Sequence, residues 1–117
     1  MKLKHIAATA LLALSANTYA DVGDVTAKVT RVLHTDDNKF GGCMAHLDVN
    51  PATVGLDCRN WVSFSCTGDF TSKDNAYRMY DLSQMAFAMN KRVKVFINDE
   101  QKHNGFCVAE RIDVLAN

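Results

Sequence analysis

The sequence predicts a small, mainly β fold in which five strands form a barrel and one helix covers an end of it. Three observations lead to this prediction. Apolar and polar residues alternate in several short segments, one Met-rich segment repeats instead at three- and four-residue steps, and an Asn-Gly pair near the C-terminus is a strong hairpin signal. The order of these segments is three strands, a helix and two strands.

The first 20 residues have the features of a secretory signal peptide. Lys2 and Lys4 form a basic start, Ile6 to Ala16 is an apolar run, and Thr18-Tyr19-Ala20 offers small residues to signal peptidase. The apolar run is shorter than the roughly 20 residues of a membrane-spanning helix. We therefore expect an exported protein, periplasmic or secreted, that is cleaved at about Ala20 and has no membrane span in its mature chain.

Residues 21–117 would form one small domain, because a chain of 97 residues (117 less 20) is large enough for a single core only. Without Lys2 and Lys4 this part has 11 basic and 13 acidic residues, a formal net charge of −2. A polyphosphate partner requires an excess of Lys and Arg. The composition therefore argues against nucleic-acid binding.

Four cysteines lie in this domain: Cys43, Cys58, Cys66 and Cys107. An even number in a small exported chain indicates two disulfides. Zinc is the competing interpretation, but the chain has no CxxC pair and its cysteine spacings are 15, 8 and 41 residues. Sequence alone leaves three pairings open. The preferred one is Cys43–Cys58, which would close a hairpin, with Cys66–Cys107, which would tie a central strand to the last strand.

The first two strands are predicted by period-two alternation, from Val25 to His34 and from Cys43 to Val49. Residues 36–42 between them are turn formers. The acidic pair Asp36 and Asp37 in this loop raises the question of calcium, but the loop supplies too few oxygens at regular spacing. We therefore expect a solvated turn and no metal.

The third strand is predicted from Trp61 to Cys66, and one helix follows from Asp74 to Asn90 with Ser72 as its N-cap. The predicted core-facing stripe of the helix consists of Met79, Leu82, Met85, Ala86 and Met89. A Met-rich stripe can serve as an adaptable binding face, but we expect it to pack against the sheet.

The last two strands form a hairpin around Asn104-Gly105, since both residues suit the positive φ of a type I′ turn. Val93, Val95 and Ile97 mark the core side of the fourth strand. The fifth strand runs from Phe106 to Leu115, in which Cys107 is out of phase with Val108, Ile112 and Val114.

Five strands with one helix after the third is the arrangement of an OB-fold, a small Greek-key barrel. The helix would cap the open end of the barrel and bury its apolar stripe there. An α+β sandwich, with the helix packed across an open five-stranded sheet, is the alternative.

Three segments carry a resemblance to a known family: WVSFSC at 61–66, AFAMNKRVKVFIND at 86–99 and HNGFCVAERIDV at 103–114. The block from Cys58 to Val114 resembles small exported bacterial proteins similar to the binding (B) subunits of AB5 toxins of the subtilase-cytotoxin and pertussis-like type. The resemblance implies an OB-fold subunit that forms a ring, often of five copies, and binds sialylated or other host glycans. It carries over no binding residue, because the glycan-contacting loops of those toxins are not visibly reproduced.

The chain contains no enzyme signature such as GxSxG, HExxH or a phosphate-cradling glycine loop. We expect no catalytic residue and no cofactor. His34, His46 and His103 are scattered, and each is expected at the surface or in a turn.

Trp61 is the one candidate for ligand contact. It is the only tryptophan and lies on the non-core side of its strand, where an aromatic face can serve as a platform for a sugar. The alternative is packing beneath a loop or against a neighbouring subunit.

The sequence therefore predicts an exported, disulfide-stabilised binding module that recognises a host glycan or a protein surface and forms a homo-oligomeric ring. A periplasmic structural or accessory protein that binds a partner protein through the same barrel is the alternative function.

Overall fold

The computed structural model describes residues 22–116; the predicted signal peptide and its cleavage site lie outside the described residues. The elements in chain order are β1 (Val22–His34), β2 (Cys43–Leu47), a 3-10 helix (Pro51–Val54), β3 (Trp61–Ser63), α1 (Lys73–Met89), β4 (Arg92–His103) and β5 (Phe106–Val114). The predicted order of three strands, a helix and two strands is confirmed. Within residues 22–116, no helix has the length and apolar character needed to cross a membrane.

The five strands close into a barrel in the order β1-β2-β3-β5-β4. The first half of β1 pairs with β4 and the second half pairs with β2, both antiparallel. β4 and β5 form the predicted hairpin, and β3 meets β5 in parallel at the pair Ser63 and Val108. This order is that of an OB-fold-like Greek-key barrel, so the open-sheet alternative is wrong.

Alternate residues of the strands fill the barrel. The fully buried positions of β4 are Val93, Val95 and Ile97, as predicted, and Phe64 and Leu47 are among the largest side chains in the core. Phe64 also contacts the helix, because its ring centroid lies 6.1 Å from that of Tyr80. The helix therefore covers the core, as expected for the cap of an OB barrel.

The predicted N-cap of the helix is confirmed: the Ser72 hydroxyl accepts a hydrogen bond from the Asn75 N–H at 3.1 Å. The helix begins at Lys73, one residue before the predicted start. Its buried face consists of Ala76, Met79, Tyr80, Ser83 and Ala86. The predicted stripe is therefore confirmed for Met79 and Ala86, Leu82 is partly buried against the core, and the prediction is wrong for the other two residues. Met85 and Met89 are 44% and 58% exposed. The prediction counted large apolar residues, whereas the barrel packs against the face whose small residues allow a close approach.

Two disulfides join Cys43 to Cys66 and Cys58 to Cys107, each with Cα atoms 5.7 Å apart. The prediction of two disulfides is confirmed, and the preferred pairing of Cys43 with Cys58 and Cys66 with Cys107 is wrong. The register of β2 and β3 explains the difference. Met44 lies opposite Ser63, so Cys43 lies beside the end of β3 and not beside Cys58, which precedes the strand.

The local backbone completes this pairing. Ser65 has a φ of 60°, in the left-handed region, and β3 ends at Ser63 instead of continuing to Cys66 as predicted. The chain turns there and places Cys66 next to Cys43. Cys58 instead meets Cys107 at the start of β5.

Candidate functional site

An open groove lined by aromatic and apolar side chains lies on the barrel surface. Its lining residues are Leu33, Phe40, Met44, Trp61 and Phe106, and its volume is about 200 Å³. We call it the aromatic groove. OB barrels bind oligonucleotides and oligosaccharides on the face of strands 2 and 3, between the loop joining strands 1 and 2 and the loop joining strands 4 and 5. The aromatic groove occupies this face.

Different parts of the chain supply the groove. Leu33 of β1 and Met44 of β2 are paired across the two strands, and Trp61 is the first residue of β3. Phe40 comes from the loop between β1 and β2, and Phe106 is the first residue of β5, directly after the Asn104-Gly105 turn. The groove therefore exists only when the barrel is assembled.

The aromatic rings are held by edge-to-face contacts. Phe40 and Phe106 meet with centroids 5.7 Å apart at an interplanar angle of 72°. Trp61 meets the His46 ring at 5.0 Å and 71°. Both arrangements are favourable for rings with negative faces and positive edges, and they leave part of each ring available because Phe40, Trp61 and Phe106 are only partly buried.

Two arginines lie beside the groove. The Arg31 guanidinium carbon is 5.5 Å from the centroid of the Trp61 ring, and that of Arg59 is 5.7 Å from the centroid of the Phe106 ring. These distances allow cation–π attraction. Both arginines are exposed, so their N–H groups can donate to a ligand whose apolar part lies on the rings.

A buried hydrogen-bond network lies behind Phe40. The Ser63 hydroxyl donates to the Phe40 carbonyl at 2.7 Å and accepts from the Ser65 N–H at 3.1 Å. The Ser65 hydroxyl lies 3.0 Å from His103 Nε2 and accepts from the Phe70 N–H at 3.1 Å. The network joins the loop that carries Phe40 to β3, to the loop before α1 and to the end of β4.

His103 is buried at 7% exposure, so the expectation of a surface or turn position is wrong for this histidine. The Phe70 ring covers it at a centroid distance of 5.1 Å, and the Asp69 carboxylate lies 3.8 Å from Nδ1. Burial lowers the pKa of His103, and the negative charge of Asp69 opposes this shift. The ring is therefore neutral at neutral pH.

His103 contacts the Ser65 hydroxyl on one side and lies near the Asp69 carboxylate on the other. This is the arrangement of a catalytic triad, in which a base lies between a nucleophilic serine and an orienting carboxylate. Ser65, however, is fully buried, and its hydroxyl already accepts the Phe70 N–H. A substrate has no access to this hydroxyl, so the three side chains connect loops and do not form an active site.

The chain matches no protein-family model, no curated protein and no solved structure. The resemblance to AB5 toxin B subunits therefore stays an expectation.

The structure brings one of the sequence candidates into the groove and leaves others outside it. Trp61 lines the groove; its contact with a ligand stays a prediction. His34 lies near Tyr77 and Tyr80 of α1, at centroid distances of 6.2 and 6.5 Å. All four cysteines are paired, and no group of His, Cys, Asp and Glu within residues 22–116 is arranged to hold a metal ion.

Sequence reasoning missed Phe40, Met44 and Phe106. Phe40 and Phe106 each lie next to a glycine in a predicted turn, and an aromatic residue at the tip of a barrel loop is a signal for a ligand site. Met44 alternates with the core residues Cys43 and Ala45 of β2, yet it too is buried, at 1% exposure.

Proposed function

We propose that this protein is a binding module whose aromatic groove holds one ring of a glycan. The observation that carries this proposal is the convergence of Phe40, Trp61 and Phe106 on the ligand face of the barrel, with an arginine beside two of the rings. A sugar ring has an apolar face that stacks on an aromatic side chain. Its hydroxyl and carboxylate groups point sideways, toward donors such as Arg31 and Arg59.

The size of the groove supports a single ring. Its volume of about 200 Å³ is below the roughly 300–1,000 Å³ of pockets that bury drug-sized ligands. A terminal sugar or a single amino-acid side chain suits such a site, whereas a buried nucleotide cofactor is too large for it.

A single-stranded nucleic acid is a poorer candidate for the groove. Nonspecific binding of single strands combines aromatic stacking with a positively charged groove that follows the phosphates. The domain has a formal net charge of −2 once Lys2 and Lys4 are excluded from its 13 basic and 13 acidic residues. The rings are present, but the electrostatic attraction for a polyphosphate is missing.

We propose that the protein is exported, with residues 1–20 removed at about Ala20. The two disulfides support this localisation, since such bonds persist in the periplasm and outside the cell but are rare in the cytosol. With the resemblance of the Cys58–Val114 block, the proposal becomes a glycan-binding subunit similar to AB5 toxin B subunits that forms a ring. Native mass spectrometry tests the assembly: a ring-sized species is expected, and a monomer at micromolar concentration contradicts it.

The second candidate function is a periplasmic accessory protein that binds a partner protein. Exposed apolar side chains on α1 favour it: Tyr77, Met85, Phe87 and Met89 are 41–58% exposed. Exposed methionines adapt to different partner surfaces. This surface belongs to the helix and not to the aromatic groove, so variants can separate the two functions.

A glycan array with two matched variants tests the proposal. We expect Trp61→Ala to lower binding at least about tenfold, because it removes a central stacking ring, whereas Phe87→Ala on the exposed face of α1 leaves binding unchanged. Equal binding by wild-type protein and Trp61→Ala would contradict the proposal. Loss of binding in Phe87→Ala alone would place the glycan site on α1 and would also contradict the proposal.

A further inference from the structure

We propose that His103 makes the aromatic groove sensitive to pH, because its neutral ring holds the Phe40 and Phe106 walls in place and its protonated ring does not. The biological meaning of this inference rests on the proposed binding function. The coupling itself concerns only the shape of the groove and can be measured without a ligand.

His103 is connected to the Phe40 side of the groove through Gly41. A Cβ atom on Gly41 would lie 2.6 Å from His103 Cδ2 and 2.9 Å from Nε2, and it would also collide with the Ser63 hydroxyl. The imidazole therefore packs directly against the backbone of the residue that follows Phe40. The Gly41 carbonyl accepts from the Thr67 N–H at 3.1 Å, so this segment of the loop is held from two sides.

His103 is connected to the Phe106 side of the groove through the β4–β5 hairpin. It is the last residue of β4 and is paired with Phe106, the first residue of β5, across the Asn104-Gly105 turn. A displacement of His103 moves the base of this short turn and therefore the position of the Phe106 ring. The rings of Phe40 and Phe106 contact each other, so a displacement of either ring also changes the position of the other.

The hydrogen bonds assign one tautomer to the neutral ring. The Ser65 hydroxyl is buried and accepts from the Phe70 N–H, and the acceptor within reach of its own hydrogen is His103 Nε2. A buried hydroxyl hydrogen needs an acceptor, so Nε2 is assigned as the acceptor of this bond. Nδ1 carries the ring hydrogen and points toward Asp69 at 3.8 Å.

Protonation of Nε2 reverses this hydrogen bond. Nε2 becomes a donor, and the Ser65 hydroxyl must turn its hydrogen away to accept from the ring. Ser65 is fully buried, so water does not supply a new acceptor for this hydrogen. A buried donor without an acceptor is unfavourable, and the site relieves it by moving the ring away from Ser65 and Gly41.

The charges around the ring set the direction of the effect. Asp69, from the loop between β3 and α1, is the charged group that faces His103 among residues 22–116. Phe70 packs on the ring from the same loop and Gly41 from the β1–β2 loop, and neither carries a titratable side chain. Lys102 precedes His103 in β4 but points to Asp57 at 3.1 Å.

The balance of these contributions places the transition in mildly acidic solution. Burial lowers the pKa of His103 and the Asp69 carboxylate raises it, with burial the larger of the two. The groove therefore keeps its shape at neutral pH and changes it as the pH falls below about 6.5. A ligand bound at neutral pH would be released in an acidic compartment.

Methyl NMR of methionine tests this proposal on the unliganded protein. Met44 lines the groove, whereas Met85 and Met89 are exposed on α1 and serve as internal controls. With 13C-methyl methionine, we expect the Met44 signal to shift between about pH 8 and about pH 5 with the same midpoint as the His103 ring. The Met85 and Met89 signals should stay constant over that transition.

Variants decide which histidine is responsible. His103→Gln should abolish the Met44 transition, whereas His46→Gln, which changes the histidine beside Trp61, should preserve it. Asp69→Asn alters an exposed side chain outside the groove and should lower the midpoint, because it removes the charge that favours protonation.

Two results would overturn the proposal: a Met44 signal that is constant while the His103 ring titrates, or a Met44 midpoint that Asp69→Asn leaves unchanged. The second criterion holds even if His103→Gln does not fold. Failure of glycan binding on the array would overturn the proposed function alone, because the Met44 measurement contains no glycan.

Discussion

The rings of Phe40 and Phe106 meet edge to face with centroids 5.7 Å apart. Phe40 lies in the β1–β2 loop, whereas Phe106 is the first residue of β5. This contact joins two loops that border the ligand face of an OB barrel. The groove is therefore a product of the closed barrel, and its shape depends on the residues that fix these two loops.

Replacement of Gly41 tests how tightly the Phe40 loop is held. Gly41→Ala places a methyl group against Ser63 and His103 at a φ of 77°, so we expect a loss of more than about 2 kcal/mol in the free energy of unfolding. Gly55→Ala is the matched control, because Gly55 has a φ of 90° with nothing within 4 Å of the new methyl group. Urea unfolding measures both variants; equal losses would contradict the packing of His103 against Gly41.

The two disulfides should stabilise the fold to different extents. They close loops with sequence separations of 49 (Cys58–Cys107) and 23 (Cys43–Cys66), and loop-closure entropy predicts contributions of about 4 and about 3 kcal/mol. We expect the double variant Cys58→Ala/Cys107→Ala to unfold at lower urea concentration than Cys43→Ala/Cys66→Ala. Mass mapping of the non-reduced protein checks the pairing first, and a Cys43–Cys58 peptide would contradict the structure.

Stability should fall in mild acid because of His103. Its pKa is lowered in the folded state by burial, so the unfolded chain binds the proton more readily. The stabilising contribution is complete above the ordinary histidine pKa of about 6.5 and is lost as the pH falls through the lower pKa of the folded state. Urea midpoints between about pH 8 and about pH 5 measure this slope. His103→Gln should reduce the slope, and an unchanged slope would contradict the assignment.

The arginines should determine which glycans bind. Arg31→Ala and Arg59→Ala each remove a donor beside a groove ring, and charge-assisted hydrogen bonds contribute about 1.5–3 kcal/mol. We therefore expect about a tenfold or larger loss of affinity for carboxylate-bearing glycans and a smaller loss for neutral ones. Isothermal titration measures both. Arg78→Ala, which changes an exposed arginine on α1, is the control, and an equal loss in this variant would contradict a local effect.

The sequence predicts the barrel well because alternation and turn signals are local properties. The period-two segments became strands, and the Asn104-Gly105 turn was placed correctly. The disulfide pairing depends on register between strands, which no local pattern contains. Cys107 shows the same limit: Cys107, Val108 and Ala109 are all buried, since the β4–β5 register shifts between Asn98 and Lys102.

The groove was only partly predictable for a related reason. Trp61 was identified by its residue type and its position on the non-core side of β3, which are visible in the sequence. Phe40 lies in the β1–β2 loop and Phe106 at the start of β5. They come together only through the parallel contact of β3 with β5 and the closure of β1 on β4. The burial of His103 was not predictable from the sequence, because it comes from Phe70 and Gly41, which are distant in the chain.

The most direct test of a glycan-binding groove uses the single tryptophan of the chain. When a glycan identified on the array is added to 15N-labelled protein, we expect the indole N–H signal of Trp61 to shift in proportion to the fraction bound, while signals of Met85 and Phe87 on α1 stay constant. A constant Trp61 signal together with shifts on α1 would contradict the account and place the binding surface on the helix.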